Sequence, residues 1–141
     1  MSVVPVAEDI EALLREQTGI RSSLDADASL QDLGLFADDL TEFMATFGER
    51  FGVDLSTFRW YFHTGEEGFS PGGLFFTPPQ DRVPKIPITL RLLREAAELR
   101  RWPVDYPDHS LPARRWDIVI NQCLVGALVL WLLWWLAGRL Y

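Results

Sequence analysis

Residues 38–55, DDLTEFMATFGERFGVDL, decide the fold. Leu40, Phe43, Met44, Phe47 and Phe51 recur at i, i+3, i+4, i+7 and i+11, the spacing that gathers apolar side chains on one face of an α-helix. Glu42, Glu49 and Arg50 fall on the other face. Asp38 or Asp39 is expected to cap the start, and Glu42 follows Asp39 by three residues, as in a capping box. Gly52 supplies the stop.

Upstream, Val6, Ile10, Leu13, Leu14 and Gln17 fall at helical spacing. They predict a helix over 8–17, with Glu8, Asp9 and Glu11 in its first turn and Gly19 ending it. Residues 20–37 read as a loop pinned to the core by Leu24, Leu30, Leu33, Leu35 and Phe36. Its acids do not make a calcium loop. The sixth position, which needs Gly, is Leu30, and the twelfth, which needs Glu, is Phe36.

Downstream, a short helical segment is expected over 56–62. Residues 63–87 hold Gly65, Gly68, Gly72, Gly73 and five prolines. They read as an ordered loop whose Phe69, Phe75 and Phe76 are expected to be covered, because exposed rings are costly. A last helix of the domain is expected over 89–101, capped by Thr89, with Leu90, Leu93 and Ala97 inward. Pro103, Pro107 and Pro112 then mark a stiff connector. The fold class is all-α: a helical bundle over 1–101 with a long Gly/Pro-rich loop before its last helix, a connector over 102–115, and one C-terminal transmembrane helix over 116–141.

That last helix follows from Ile118–Ala137, which carry no charge. At about 1.5 Å per residue they reach roughly 30 Å, the thickness of a bilayer core. Arg114, Arg115 and Trp116 precede the segment; Trp134, Trp135, Arg139 and Tyr141 stand at or beyond its far end, where aromatic rings favour the interface. Trp131 adds a further ring. A domain of about 115 residues does not easily enclose a helix apolar on every face. Asn121 and Gln122 lie near its start, either at headgroup depth or in helix–helix contact; in the latter case Gln122, Gly126 and Ala127 form the closest-packed face. Arg100, Arg101, Arg114 and Arg115 serve either as contacts to anionic lipid or as topology signals. The opening MSVVPVAEDI lacks a signal peptide's basic start and apolar run. With two arginines before the span and one after, the expected topology is a single pass in a bacterial inner membrane, with the N-terminal domain cytoplasmic.

The formal net charge is −7 across 141 residues. Residues 1–67 carry fourteen acids against Arg15, Arg21, Arg50 and Arg59, whereas residues 82–115 carry eight bases and four acids. An acidic N-terminal half suits a basic partner and argues against nucleic acid. The single cysteine, Cys123, lies in the apolar tail, and His63 and His109 have no thiol partner, so no metal site is expected. Asp108-His109-Ser110 is contiguous, and adjacent residues do not converge as a triad must. No catalysis and no cofactor are expected.

The stretch Leu33-Gly34-Leu35-Phe36-Ala37-Asp38-Asp39-Leu40, the apolar helix after it and Phe51-Gly52-Val53-Asp54-Leu55 resemble acyl carrier proteins, as does Lys85–Leu90 before the last domain helix. The resemblance spans about residues 6–100 and implies a small four-helix bundle. The phrases DLG…DD, ERFGVDLS and LRRWP are also similar to those of a bacterial family of short proteins, the domain of unknown function fourteen-ninety-three. In carrier proteins a Ser at the second helix bears phosphopantetheine; here Asp39 stands at that position. A carboxylate cannot take that group, and Thr41 lies two residues too late. The resemblance leaves an acidic face, Asp38, Asp39, Glu42 and Glu49, of the kind with which carriers dock on basic patches. The same Asp38 and Asp39 also serve as plain helix caps.

The expected function is a non-catalytic, membrane-anchored adaptor docking a protein partner through that face. Two alternatives stand beside it: an accessory subunit of an inner-membrane complex held by its tryptophan-rich tail, and a modified acyl carrier.

Overall fold

The structure, a computed structural model, describes residues 4–140, with side chains from Val6 onward; Tyr141 lies outside them. The chain is all-α. Helices α1 (Val4–Thr18), α2 (Ala37–Phe51) and α3 (Leu90–Leu99) form the bundle, and α4 (Trp116–Leu140) leaves it. Short 3-10 turns occupy Trp60–Phe62, Pro71–Leu74 and Pro79–Asp81. Among the described residues there is no strand, only isolated bridges between Ser29 and Thr89 and between Asp54 and Arg101.

The core follows the periodic faces. Ile10, Leu13 and Leu14 of α1 meet Leu40, Phe43, Met44 and Phe47 of α2 and Leu90, Leu93, Ala96 and Ala97 of α3. Helix α1 begins four residues earlier than its acids indicated. Pro5 is its second residue, where a missing N–H costs nothing. Glu8, Asp9 and Glu11 therefore lie beyond the first turn. Glu11 instead reaches across to α3, pairing with Arg94 at 2.7 Å.

The loop after α1 is held by backbone bonds from Leu30 N–H to the Ile88 carbonyl (2.8 Å) and from Arg91 N–H to the Ala26 carbonyl (3.0 Å). Leu30 and Leu35 are buried, and Leu24 and Leu33 pack against the core. Phe36 does not join them. It is 48% exposed, because the chain turns outward there to start α2. Thr89 caps α3 as expected, its hydroxyl accepting from Leu92 N–H.

The helix expected over 56–62 is reduced to the 3-10 turn Trp60–Phe62, with Tyr61, Phe62, His63 and Thr64 buried beside it. The Pro-rich segment after α3 lies against this turn. Trp102 is in the core, and Val104 and Tyr106 pack on it. The buried His63 accepts at Nε2 from the Tyr106 hydroxyl (2.8 Å) and donates from Nδ1 to the Ile86 carbonyl (2.7 Å). That tautomer follows from Tyr106 Oη already accepting from Trp102 Nε1 and Arg59 N–H. Burial pushes the His63 pKa down to about 4. His109 is fixed in the same manner, by the Tyr61 hydroxyl and the Pro107 carbonyl.

Candidate docking face and membrane entry

The start of α2 carries the candidate docking residues, and its cap is not the one the sequence indicated. The N-cap position is Phe36, which offers no side-chain bond. Neither Asp38 nor Asp39 closes a capping box. The Ala37 N–H donates instead to Thr64 Oγ1, 2.8 Å away and 27 positions along the chain. Thr64 is itself held in place by the buried turn at 60–64. Asp38 and Asp39 occupy the first helical turn, where the helix dipole favours carboxylates without any bond. Ala37 is also unusual in having a φ of +41°, a region that disfavours residues with a Cβ.

Asp38, Asp39, Glu42 and Glu49 are all exposed. Among the described residues none of them enters an ion pair, whereas Glu11, Glu16, Asp27, Glu66 and Asp117 all do. The face divides at its tip. Asp39 and Glu42 line a shallow depression with Gln17 and Thr18 at the end of α1. Asp38 turns the other way, into a cleft of about 680 Å³ shared with Glu66, Glu67, Asp81 and Asp117. Arg115 is a base in that quarter, and it is committed. It binds Glu66 (2.8 Å) and Asp117 (2.6 Å) at once, and their hydrogen bonds hold its pKa above the usual arginine value. Thr41, the hydroxyl nearest Asp39 along the chain, donates to the Ala37 carbonyl.

The floor of the cleft is the start of α4. Asp117 is buried there, and the 3-10 turn Pro71–Leu74 packs on the first turns of the helix. The Asn121 side chain bonds the Gly72 N–H (2.8 Å) through Oδ1 and Ser70 Oγ (2.9 Å) through Nδ2. Asn121 thus finds its partners in the protein's own loop, a contact that sequence reading missed. The Gly72-Gly73 doublet was the available signal, since a Cβ at Gly72 would run into the Asp117 carbonyl. The rest of the loop departs from expectation. Phe69, Phe75 and Phe76 are exposed, because the turn spends its inward face on α4.

From Gln122 onward α4 is free of the domain. It is long and apolar enough to cross a membrane, and none of its most apolar window is buried by the protein. Gln122 and Gly126 are exposed, as are Trp131, Trp134 and Trp135. The Arg114 guanidinium lies over the Trp116 ring and that of Arg139 over Trp135, cation–π contacts at the two ends of the apolar stretch.

Residues 6–105 match the model of the family described as "Protein of unknown function (DUF1493)". The chain belongs to this family. The DUF1493 segment covers the bundle, the 3-10 loop and the exposed acids of α2, and it stops before α4 begins. Comparison with curated proteins and with solved structures finds no match. The description of the family carries no activity over to these residues.

Proposed function

We propose that this DUF1493 protein is a non-catalytic adaptor, anchored in the bacterial inner membrane by α4 and docking a basic protein surface through Asp38, Asp39, Glu42 and Glu49. The observation that carries the reading is that these four carboxylates sit on one helix, are exposed and, among the described residues, enter no ion pair. Unpaired carboxylates of one sign accelerate and orient encounters with a basic partner. Asp38 extends the face into the cleft beside α4, which favours a partner that itself lies close to the bilayer. The order of Arg114 and Arg115 before the apolar segment and Arg139 after it supports a cytoplasmic domain. The carrier-like reading of the bundle belongs to the same proposal. Asp39 replaces the modified serine, and the Thr41 hydroxyl is turned back to its own helix. An intact mass unchanged by a co-expressed phosphopantetheinyl transferase is expected, and an added phosphopantetheine would favour a modified carrier.

The test is charge reversal. Full-length chain bearing Asp38→Lys, Asp39→Lys and Glu42→Lys, purified in mild detergent, is expected to lose partners captured by the unaltered protein. Equal capture by both would overturn the docking face. A second reading, an accessory subunit held by its tail, is favoured by the exposed Trp131, Trp134 and Trp135, since large rings make strong packing contacts. Replacing α4 with an unrelated span separates the two: the adaptor keeps its partner and the subunit loses it.

A further inference from the structure

We infer that the loop tip around Pro71–Leu74 is a second membrane contact, entering the same leaflet as the first turns of α4. The inference rests on α4 spanning the bilayer and goes beyond it to the orientation of the domain. At the tip Phe69 is 88% exposed, Leu74 81% and Phe75 73%. So dense a cluster of bare apolar side chains on a small domain marks an interaction surface.

Three further observations make lipid the occupant. The first is depth. Gly72 N–H is bonded to Asn121, which lies inside the charge-free segment 118–137. Whatever depth Asn121 takes, the tip shares, so apolar side chains beside it meet the phase that receives α4. The second is charge. Residues 68–80 contain no charged side chain, yet they are bounded by Glu66 and Glu67 on one side and Asp81 and Arg82 on the other. Charge stops where the tip begins, as it does along α4. The third is backbone satisfaction. Gly73 N–H bonds the Ser70 carbonyl, and Phe75 and Phe76 N–H bond that of Gly72. Gly72 N–H and Ser70 Oγ are taken by Asn121. Four N–H groups at the turn are thus met within the protein, which lowers the cost of bringing it into the interfacial region of a bilayer. Two points of attachment, α4 and the tip, then fix the tilt of the domain and set the cleft, whose lining runs from Asp38 to Phe69 and Asn121, against the headgroups.

Full-length protein with Cys123→Ser is given single cysteines at Phe75, at Val125 in α4, or at exposed Glu49 in α2. Each is labelled with an environment-sensitive fluorophore and reconstituted in phosphatidylcholine vesicles containing lipid with a shallow nitroxide quencher. Labels at 75 and 125 are expected to be quenched at least twofold more than the label at 49. Quenching at 125 without quenching at 75 would overturn the loop contact and leave the anchor standing. No quenching at either would overturn both. A label at 75 unquenched in pure lipid, yet blocked from reaction in native membranes, would assign the tip to a membrane-protein partner and overturn lipid as its occupant.

Discussion

Asn121 of α4 accepts a hydrogen bond from the backbone of Gly72, 49 residues earlier in the chain, at 2.8 Å. This contact ties the apolar helix to the domain, together with the Arg115 bridge between Glu66 and Asp117. Gly72 lies against the Asp117 carbonyl with no room for a Cβ. Gly72→Ala is therefore expected to lift the 3-10 turn from α4. Hydrogen exchange by mass spectrometry should show faster exchange over residues 70–76, while α1, α2 and α3 keep their protection, because the turn lies outside the main core. Unchanged exchange in the loop would mean that Asn121 does not hold it.

Thr64 caps α2 from outside the helix. Thr64→Ala leaves the first N–H of α2 without its partner, in a place shielded by the buried turn at 60–64. A cost of about 1 kcal/mol is expected, as for a conventional cap. Thr64→Ser should recover most of it, since the hydroxyl is retained. Thermal unfolding of the detergent-solubilised protein measures both. If Asp38→Ala and Asp39→Ala each cost more than Thr64→Ala, those carboxylates are caps after all.

What the sequence disclosed and what it withheld divide by range. The face of α2 was legible because Leu40, Phe43, Met44 and Phe47 repeat with the pitch of a single helix. The length of α4 was legible because charge is absent over one continuous stretch. Thr64 as the cap was not, since it approaches from a separate buried turn and the local Asp38, Asp39 and Glu42 offered a more familiar pattern. Nor was the exposure of Phe69 and Phe75. Apolar content alone cannot tell a ring turned toward the core from one turned away, and here the contact with Asn121 decides it. Exposure of Asp38, Asp39, Glu42 and Glu49 was legible from the helical pitch, but the turn of Asp38 toward α4 depends on where Glu66 and Asp117 lie in space.

Ala37 at φ +41° carries strain that glycine would not. In the middle of α2, Ala45 is exposed and unstrained, and Ala45→Gly is expected to cost roughly 1 kcal/mol by loss of helix propensity. Ala37→Gly should cost less by about the same amount, because relief of strain offsets the extra freedom of the unfolded chain. Equal costs from denaturant titration of the two variants would show that Ala37 bears no strain.

His63 gives the fold a dependence on acid whose sign is fixed by its burial. The imidazole is 3% exposed and its pKa is pushed down to about 4, mainly by desolvation. In the unfolded chain it titrates near the ordinary value of about 6.5. Between those values the unfolded state binds a proton that the folded state refuses, so stability falls as pH drops from about 6.5 to about 4. Below about 4 both states are protonated and this contribution levels off, at a loss of roughly 3 kcal/mol. Protonation at Nε2 would also turn an acceptor for the Tyr106 hydroxyl into a donor and loosen the chain leading to α4. His63→Gln is expected to be less stable at neutral pH, because the amide cannot meet both Tyr106 and the Ile86 carbonyl in the same geometry. Its unfolding midpoint should nevertheless vary less with pH across this window than that of the unaltered protein. Parallel curves for the two proteins between pH 7 and 4 would assign the acid sensitivity to other groups.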